Sequence, residues 1–454
     1  MKTLKSNPLL RLVNSHVRYT SEHSHVGSLL GFGLGSFYLL PFYFKHFSSE
    51  REMKSGLTLD FWRNNLDSFY QWFVGFTEAE GCFKVKPKYR DGKSIVHSFY
   101  FEFEIHLHID EIDLLYFINS ILGIGKVYKR ESSNSCSFII GNEKELRLLI
   151  DILDRYTFNG IKLLDYLDFK KAFFMYFNRQ ERLSKDLSNL ILNIREGMNT
   201  GRESFSMPSD HQLRVTKYWL LGLIEGEGSF NISRVNLTPH FQLVLTSAQK
   251  PLLEEIKQHF INNLNLDEYS LWKINNSSII SINDLSARGN SKPTVRLLIK
   301  DVRFLNNYII PYLSSMPFIS KKGYDIQDFS LICKVLYVGA HEDVNIKNLI
   351  VQLSLGMNKF RLSSYKGDKD KPLTSKELEL LNNTITLKNS LGSEYKNSVV
   401  YFLNISNNDL IVNSLTEAAN LLNISSDTLR KLLAKNNEEA KVKNNLVKRI
   451  KVFG

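Results

Sequence analysis

The chain has 454 residues, enough for two or three domains, and 43% apolar content supports ordinary buried cores. Lys and Arg number 58 against 47 Asp and Glu, a formal charge of +11 with pI near 9.2, which points to a polyanionic partner. Cys82, Cys136 and Cys333 are scattered with no C-x-x-C pair, so neither a disulfide framework nor a zinc site is indicated.

Residues 1–66 differ in character from the remainder of the chain. Val26 to Phe44 carries no charge over 19 residues, about the length that crosses a bilayer. Four glycines and Pro41 make it a poor soluble helix, and it lies too late for a secretory signal. From Asp67 a first repeat begins, with the apolar run FVGFTEAEG at Phe73–Gly81. CFKVKPKYR then alternates Phe83 and Val85 against Lys84, Lys86 and Lys88, a strand with one apolar and one basic face. FYFEFEIHLH sets Phe101, Phe103, Ile105 and Leu107 against Glu102, Glu104, His106 and His108. A helix at DEIDLLYFINSILG comes next, with Asp110 as its expected cap. Two further strands present Lys126, Tyr128 and Arg130 outward, and helices close the repeat near residue 178.

A polar linker over 179–212 leads to the second copy at 213–343, with LLGLIEGEG at Leu220–Gly228. SFNIS and FQLVLT stand in for the first hairpin, with Asn231, Ser233, Gln242 and Thr246 outward; SLWKI, SIISI and TVRLLI are further strand candidates. A late echo, FNGIKLLDYLDF and FISKKGYDIQDF, aligns Lys162 with Lys322, Asp165 with Asp325 and Asp168 with Asp328. Residues 344–398 read as a second linker. Residues 399–454 then offer a hairpin and a helix-turn-helix, with Ser425 as N-cap and Arg430 and Lys431 at the exposed start of the second helix.

The two apolar runs carry the chemistry. Gly75 with Ala79, and Gly222 with Gly226, put small residues four apart on one helix face, so that two backbones can approach closely. Glu80 and Glu227, 147 positions apart, end these helices just before Gly81 and Gly228, the residue type that commonly terminates a helix. Two carboxylates meeting at the negative helix ends call for a cation, and a hard divalent ion completed by water and phosphate suits them.

Both runs resemble the LAGLIDADG motif of homing endonucleases and their intron-maturase relatives, with Glu where the family more often has Asp. The resemblance implies an α+β fold: two pseudo-symmetric αββαββα repeats forming a DNA-binding saddle. It implies a monomeric, Mg²⁺-dependent endonuclease making a double-strand break in a long pseudo-palindromic DNA target, with Glu80 and Glu227 as metal ligands and Lys162 and Lys322 near the scissile phosphates. The alternative it leaves open is a maturase acting on its own group I intron RNA. Residues 399–454 resemble nuclease-associated modular DNA-binding domains. The opening MKTLKSNPLLRLVNSH resembles cytochrome b, which implies an intron reading frame continuing from an exon and a mitochondrial product, with membrane association through 26–44 as an expectation.

Overall fold

The computed structural model describes residues 55–90, 95–276, 279–287, 289, 292–365, 372–390, 398–405, 408–412, 414–436 and 439–452. The cytochrome b-like opening and the uncharged 26–44 stretch lie outside them. Among the described residues no helix is long and apolar enough to cross a membrane.

Each repeat is a helix, a hairpin, a helix, a second hairpin and closing helices. In the first repeat, β1 (Gly81–Tyr89), β2 (Val96–His108), β3 (Lys126–Arg130) and β4 (Ser135–Ile140) form an antiparallel sheet ordered β1-β2-β4-β3. In the second, β5 (Gly228–Ser233), β6 (Thr238–Thr246), β7 (Ile280–Leu285) and β8 (Thr294–Ile299) repeat the order as β5-β6-β8-β7. Period-2 alternation buries one face of each sheet. Phe83 and Phe101 pack on Phe169 of the Lys162–Phe177 helix, with ring centroids 5.3 and 5.7 Å apart. Phe230 meets Phe329 of the Lys322–Tyr337 helix at 5.3 Å in the same way. These closing helices are thereby fixed against the first strand of their own sheet.

Several expectations are corrected. SLWKI is not a strand but lies in the helix Glu268–Asn276, which Asp267 starts by accepting the Ser270 N–H at 2.6 Å. Asp110 caps no helix: the helix begins at Ile112, after a tight turn in which the His108 ring accepts the Asp110 N–H. At the end of the expected leader, Ser55–Asn64 is helical and Trp62 is fully buried against Phe69, Trp72 and Tyr218.

Neither linker is bare. The helix Lys185–Glu196 buries Ile191, and the helices Val344–Ser354 and Ser375–Ser390 bury Ile346, Ile350, Leu353, Leu378, Leu381 and Ile385 in the main core. Their apolar residues are sparse but fall at helical spacing, and polar residues on the other faces mask them in a composition count.

The C-terminal segment has its own core, with Leu403, Ala418, Ala419, Leu422, Leu429, Leu433 and Val447 at its centre. Its helices Leu415–Leu421 and Ser426–Lys435 lie beside a four-stranded sheet rather than one hairpin. In that sheet β9 (Ser398–Ile405), β10 (Asn408–Val412), β11 (Glu439–Val442) and β12 (Asn445–Val452) take the order β10-β9-β12-β11. The lysine density of residues 441–451 hid an alternation in which Ala440, Val442 and Val447 point inward.

Candidate active site at the meeting of two acidic helices

The helices Leu66–Glu80 and Lys217–Glu227 pack side by side in the same direction, backbone on backbone. A Cβ added at Gly75 would lie 2.0 Å from the Trp219 carbonyl oxygen, and one at Gly222 would lie 2.1 Å from that of Trp72. One at Gly226 would meet the Ala79 Cβ at 2.3 Å and lie 3.5 Å from Glu80 Oε1. Only the small-residue stripe permits this approach, and it brings Glu80 beside the residue preceding Glu227.

Gly81 and Gly228 do not end their helices in the left-handed region. Both are extended, with φ −77° and −67°, and begin β1 and β5. Glycine is required there by closeness instead: a Cβ would meet the Thr77 carbonyl at 2.7 Å and the Ile224 carbonyl at 2.5 Å.

Protein on several sides desolvates the two carboxyls, although Glu227 keeps solvent access. Burial, then repulsion from Glu80, pushes Glu227 up to about 7, while Lys162 and Lys322 oppose the rise. Burial also raises Glu80, against the pull of Lys322 and then Lys162. The larger attraction on each glutamate therefore comes from the lysine of the other repeat. Among the described residues no group of three or more His, Cys, Asp or Glu could hold a metal ion. The donor set is two hard carboxylates, which fits a divalent ion completed by water and phosphate oxygens.

The lysines are held by residues that motif spacing alone did not reveal. Lys162 and Lys322 are the first residues of their helices. Half-buried Glu78 accepts the Asn159 and Gly160 N–H groups just ahead of Lys162; buried Glu225 accepts those of Ile319 and Ser320, at 2.6 and 3.0 Å, ahead of Lys322. Glu225 also accepts the Trp72 indole N–H at 2.7 Å, across the helix pair. The Trp219 indole favours the charged form of Glu78 without a hydrogen bond of normal geometry. Burial outweighs these donors and pushes both carboxyls up to about 7.

A second duplicated element braces the same helices. Gly197–Arg202 reads GMNTGR and Gly356–Arg361 reads GMNKFR. Asn199 and Asn358 adopt φ 53° and 55°. Each donates its backbone N–H to an aspartate, Asp165 or Asp325, and its amide to the carbonyl of Phe83 or Phe230. Arg202 then bridges Asp165 and Asp168, as Arg361 bridges Asp325 and Asp328. The aspartates that echo between the repeats thus anchor the lysine helix to the first strand of its sheet.

The outward sheet faces carry the remaining candidates. Lys84 pairs with Glu104 and Glu102, Lys86 reaches Glu102 at 2.7 Å, and Arg130 approaches Glu104 at 3.8 Å. Glu102 and Glu104 are each only 5% exposed, buried beneath these cations. Lys86 and Lys88 lie over the Tyr100 ring. His106 is exposed and bonded to Ser137, whereas His108 is half-buried, bonded to Ser364 and beside Asp110. Lys126 and Tyr128 are exposed. Asn231 bonds Ser229 and Asn358, Thr246 accepts from Gln249, and Ser233 and Gln242 are partly exposed. Arg430 and Lys431 are exposed on the C-terminal helix, Arg430 paired with Asp427.

Residues 73–173 and 220–333 match the LAGLIDADG endonuclease family. Probable intron-encoded endonuclease Cox1-I1b of Schizosaccharomyces pombe is 33% identical over 202 residues, 43% of this chain and 50% of that protein. Uncharacterized mitochondrial protein RF1 of Saccharomyces cerevisiae is 28% identical over 66% of this chain and 62% of its own length. The chain thus spans about half to three fifths of these relatives. The fold matches the LAGLIDADG homing endonuclease I-GzeII, solved with its DNA target, at TM-score 0.52 and 23% identity over 64% of this chain and 99% of that one. It also matches I-LtrWI bound to target DNA, at TM-score 0.54 and 21% identity over 65% and 99%.

Proposed function

We propose that this chain, which belongs to the LAGLIDADG endonuclease family through its two repeats, is an intron-encoded, site-specific DNA endonuclease of fungal mitochondrial type. The observation that carries the reading is the meeting of Glu80 and Glu227 at the ends of two touching helices, where the charges of Lys162 and Lys322 act on both.

Glu80 and Glu227 would hold a divalent cation, Mg²⁺ in this reading, and that cation would supply Lewis acidity at the scissile phosphate. Water adds to phosphorus as the bridging oxygen departs, and no side-chain nucleophile is needed. Lys162 and Lys322 place positive charge where the phosphate accumulates negative charge. The exposed basic and polar rows of the two sheets face the duplex, where two strands fit the major groove. The C-terminal module extends the contact through Arg430, Lys431 and its basic strands.

The test is purified protein incubated, with and without Mg²⁺, on duplex DNA spanning the intronless insertion site and separately on its own precursor RNA. Double-strand cutting of the DNA is the expected result. Accelerated intron splicing with intact DNA overturns the nuclease and leaves the maturase. Because Glu227 competes for protons near pH 7, cation affinity should rise as pH passes through about 7, with proton release on binding.

A further inference from the structure

The N-terminus of each lysine helix carries a second cap, and it comes from the other repeat. Glu111, at the corner after β2 of the first repeat, accepts the backbone N–H of Lys321 through both carboxylate oxygens, at 3.1 and 3.2 Å. Gln249, at the matching corner after β6 of the second repeat, accepts the N–H of Ile161 through Oε1 at 3.3 Å. The positions correspond: each stands three residues before a buried leucine pair, Leu114–Leu115 and Leu252–Leu253. Asp110 and His108 strengthen the first crossing by binding Ser363 and Ser364 of the second repeat's tail. The second crossing is tight enough that a Cβ at Gly160 would lie 2.3 Å from Gln249 Oε1.

We propose that Glu111 and Gln249 are positioning residues that place the active-site lysine of the opposite repeat. Glu111 of repeat 1 fixes the backbone beside Lys322, the first residue of the second lysine helix. Gln249 of repeat 2 fixes the backbone beside Lys162, the first residue of the first. Each repeat thus caps the helix that begins with its partner's lysine, and each cut depends on a named residue in each half. This inference rests on the nuclease reading for its chemical consequence but not for its geometry.

The experiment uses the full chain on the insertion-site duplex with a different label on each strand, beside amide hydrogen exchange of peptides spanning 159–162 and 319–322. Glu111→Ala should slow cutting of one strand about tenfold or more, the strand that Lys322→Ala also slows. Gln249→Ala should slow the other, matching Lys162→Ala. Affinity for uncut DNA should hold, and Glu111→Gln, which keeps an oxygen acceptor, should restore the rate. Equal slowing of both strands by either variant, or slowing explained by lost binding, overturns the proposal. Exchange separates the two claims. If the wild-type chain cuts nothing, the nuclease reading and the lysines' chemical role fall together. Unchanged exchange at Lys321 in Glu111→Ala, even with cutting intact, overturns the crossed caps alone.

Discussion

The outward face of β1 and β2 in the first repeat is a lattice of charge, Lys84 and Lys86 lying on buried Glu102 and Glu104. The corresponding face of β5 and β6 in the second repeat carries the amides and hydroxyls of Asn231, Ser233, Gln242 and Thr246. The same contrast recurs at the crossed caps, where Glu111 in one half answers Gln249 in the other. Strand order, the Gly stripe and the Asn–Arg–Asp brace are common to both halves. Duplication has kept what places the carboxylates and lysines and has let the outward sheet faces and one cap change chemical type.

The common part should respond alike in both halves. Glu80→Gln and Glu227→Gln each remove half of the cation site and should lower the cutting rate roughly 100- to 1,000-fold with little change in DNA affinity. Undiminished cutting by both variants removes the assignment. The brace should respond unequally. Arg361→Ala removes the guanidinium that bridges Asp325 and Asp328, both buried, at a cost of about 3–5 kcal/mol in denaturant unfolding. Arg202→Ala should cost less, because Asp168 keeps a third of its side chain in water; equal losses would show that burial does not decide the difference.

Gly75→Ala and Gly222→Ala push a methyl group into a rigid carbonyl and should each lower stability by about 2–3 kcal/mol. Their effects should match, and a large mismatch breaks the symmetry of the helix pair.

A smaller effect separates the halves by pH. Glu78, Glu225 and Glu111 have ordinary values of 4.5, and in the folded chain burial chiefly raises each to about 7, with Glu225 adding to the rise at Glu111. The folded state therefore holds more protons than the unfolded state between these values, so metal-free stability falls as pH rises from about 4.5 through about 7. Among the described residues, Glu225 and Glu111 accept N–H groups at the start of the second lysine helix, where Glu78 does so at the first. Glu111→Gln should flatten the decline, a difference of a few degrees in Tm between pH 5 and 7.5.

Much of the fold and the site was readable in one dimension. The small-xxx-small stripe and the terminal glutamate depend on spacing within a few residues, and spacing survives in sequence. The caps did not show, because Glu78 acts on Gly160 only after the chain returns 82 residues later. The GMN–Arg brace repeats openly in sequence, but its offset is 159 rather than the 147 of the glutamates. Both copies lie in stretches whose polar composition reads as linker, so repeats bounded by their apolar runs leave the brace out. Alternation gave the faces of β1 and β2 correctly for their apolar residues. It could not show that Glu102 and Glu104 are buried under the lysines beside them, since that follows from cross-strand register.

The glycine contacts between the two helices reach beyond stability. Peptide groups touch peptide groups there, and every amino acid has the same peptide group, so the distance between the halves is set by atoms that no substitution elsewhere can resize. In the proposed nuclease, the spacing of two cuts along a double helix would then behave as a fixed ruler, while the letters recognised on either side would stay free to be rewritten.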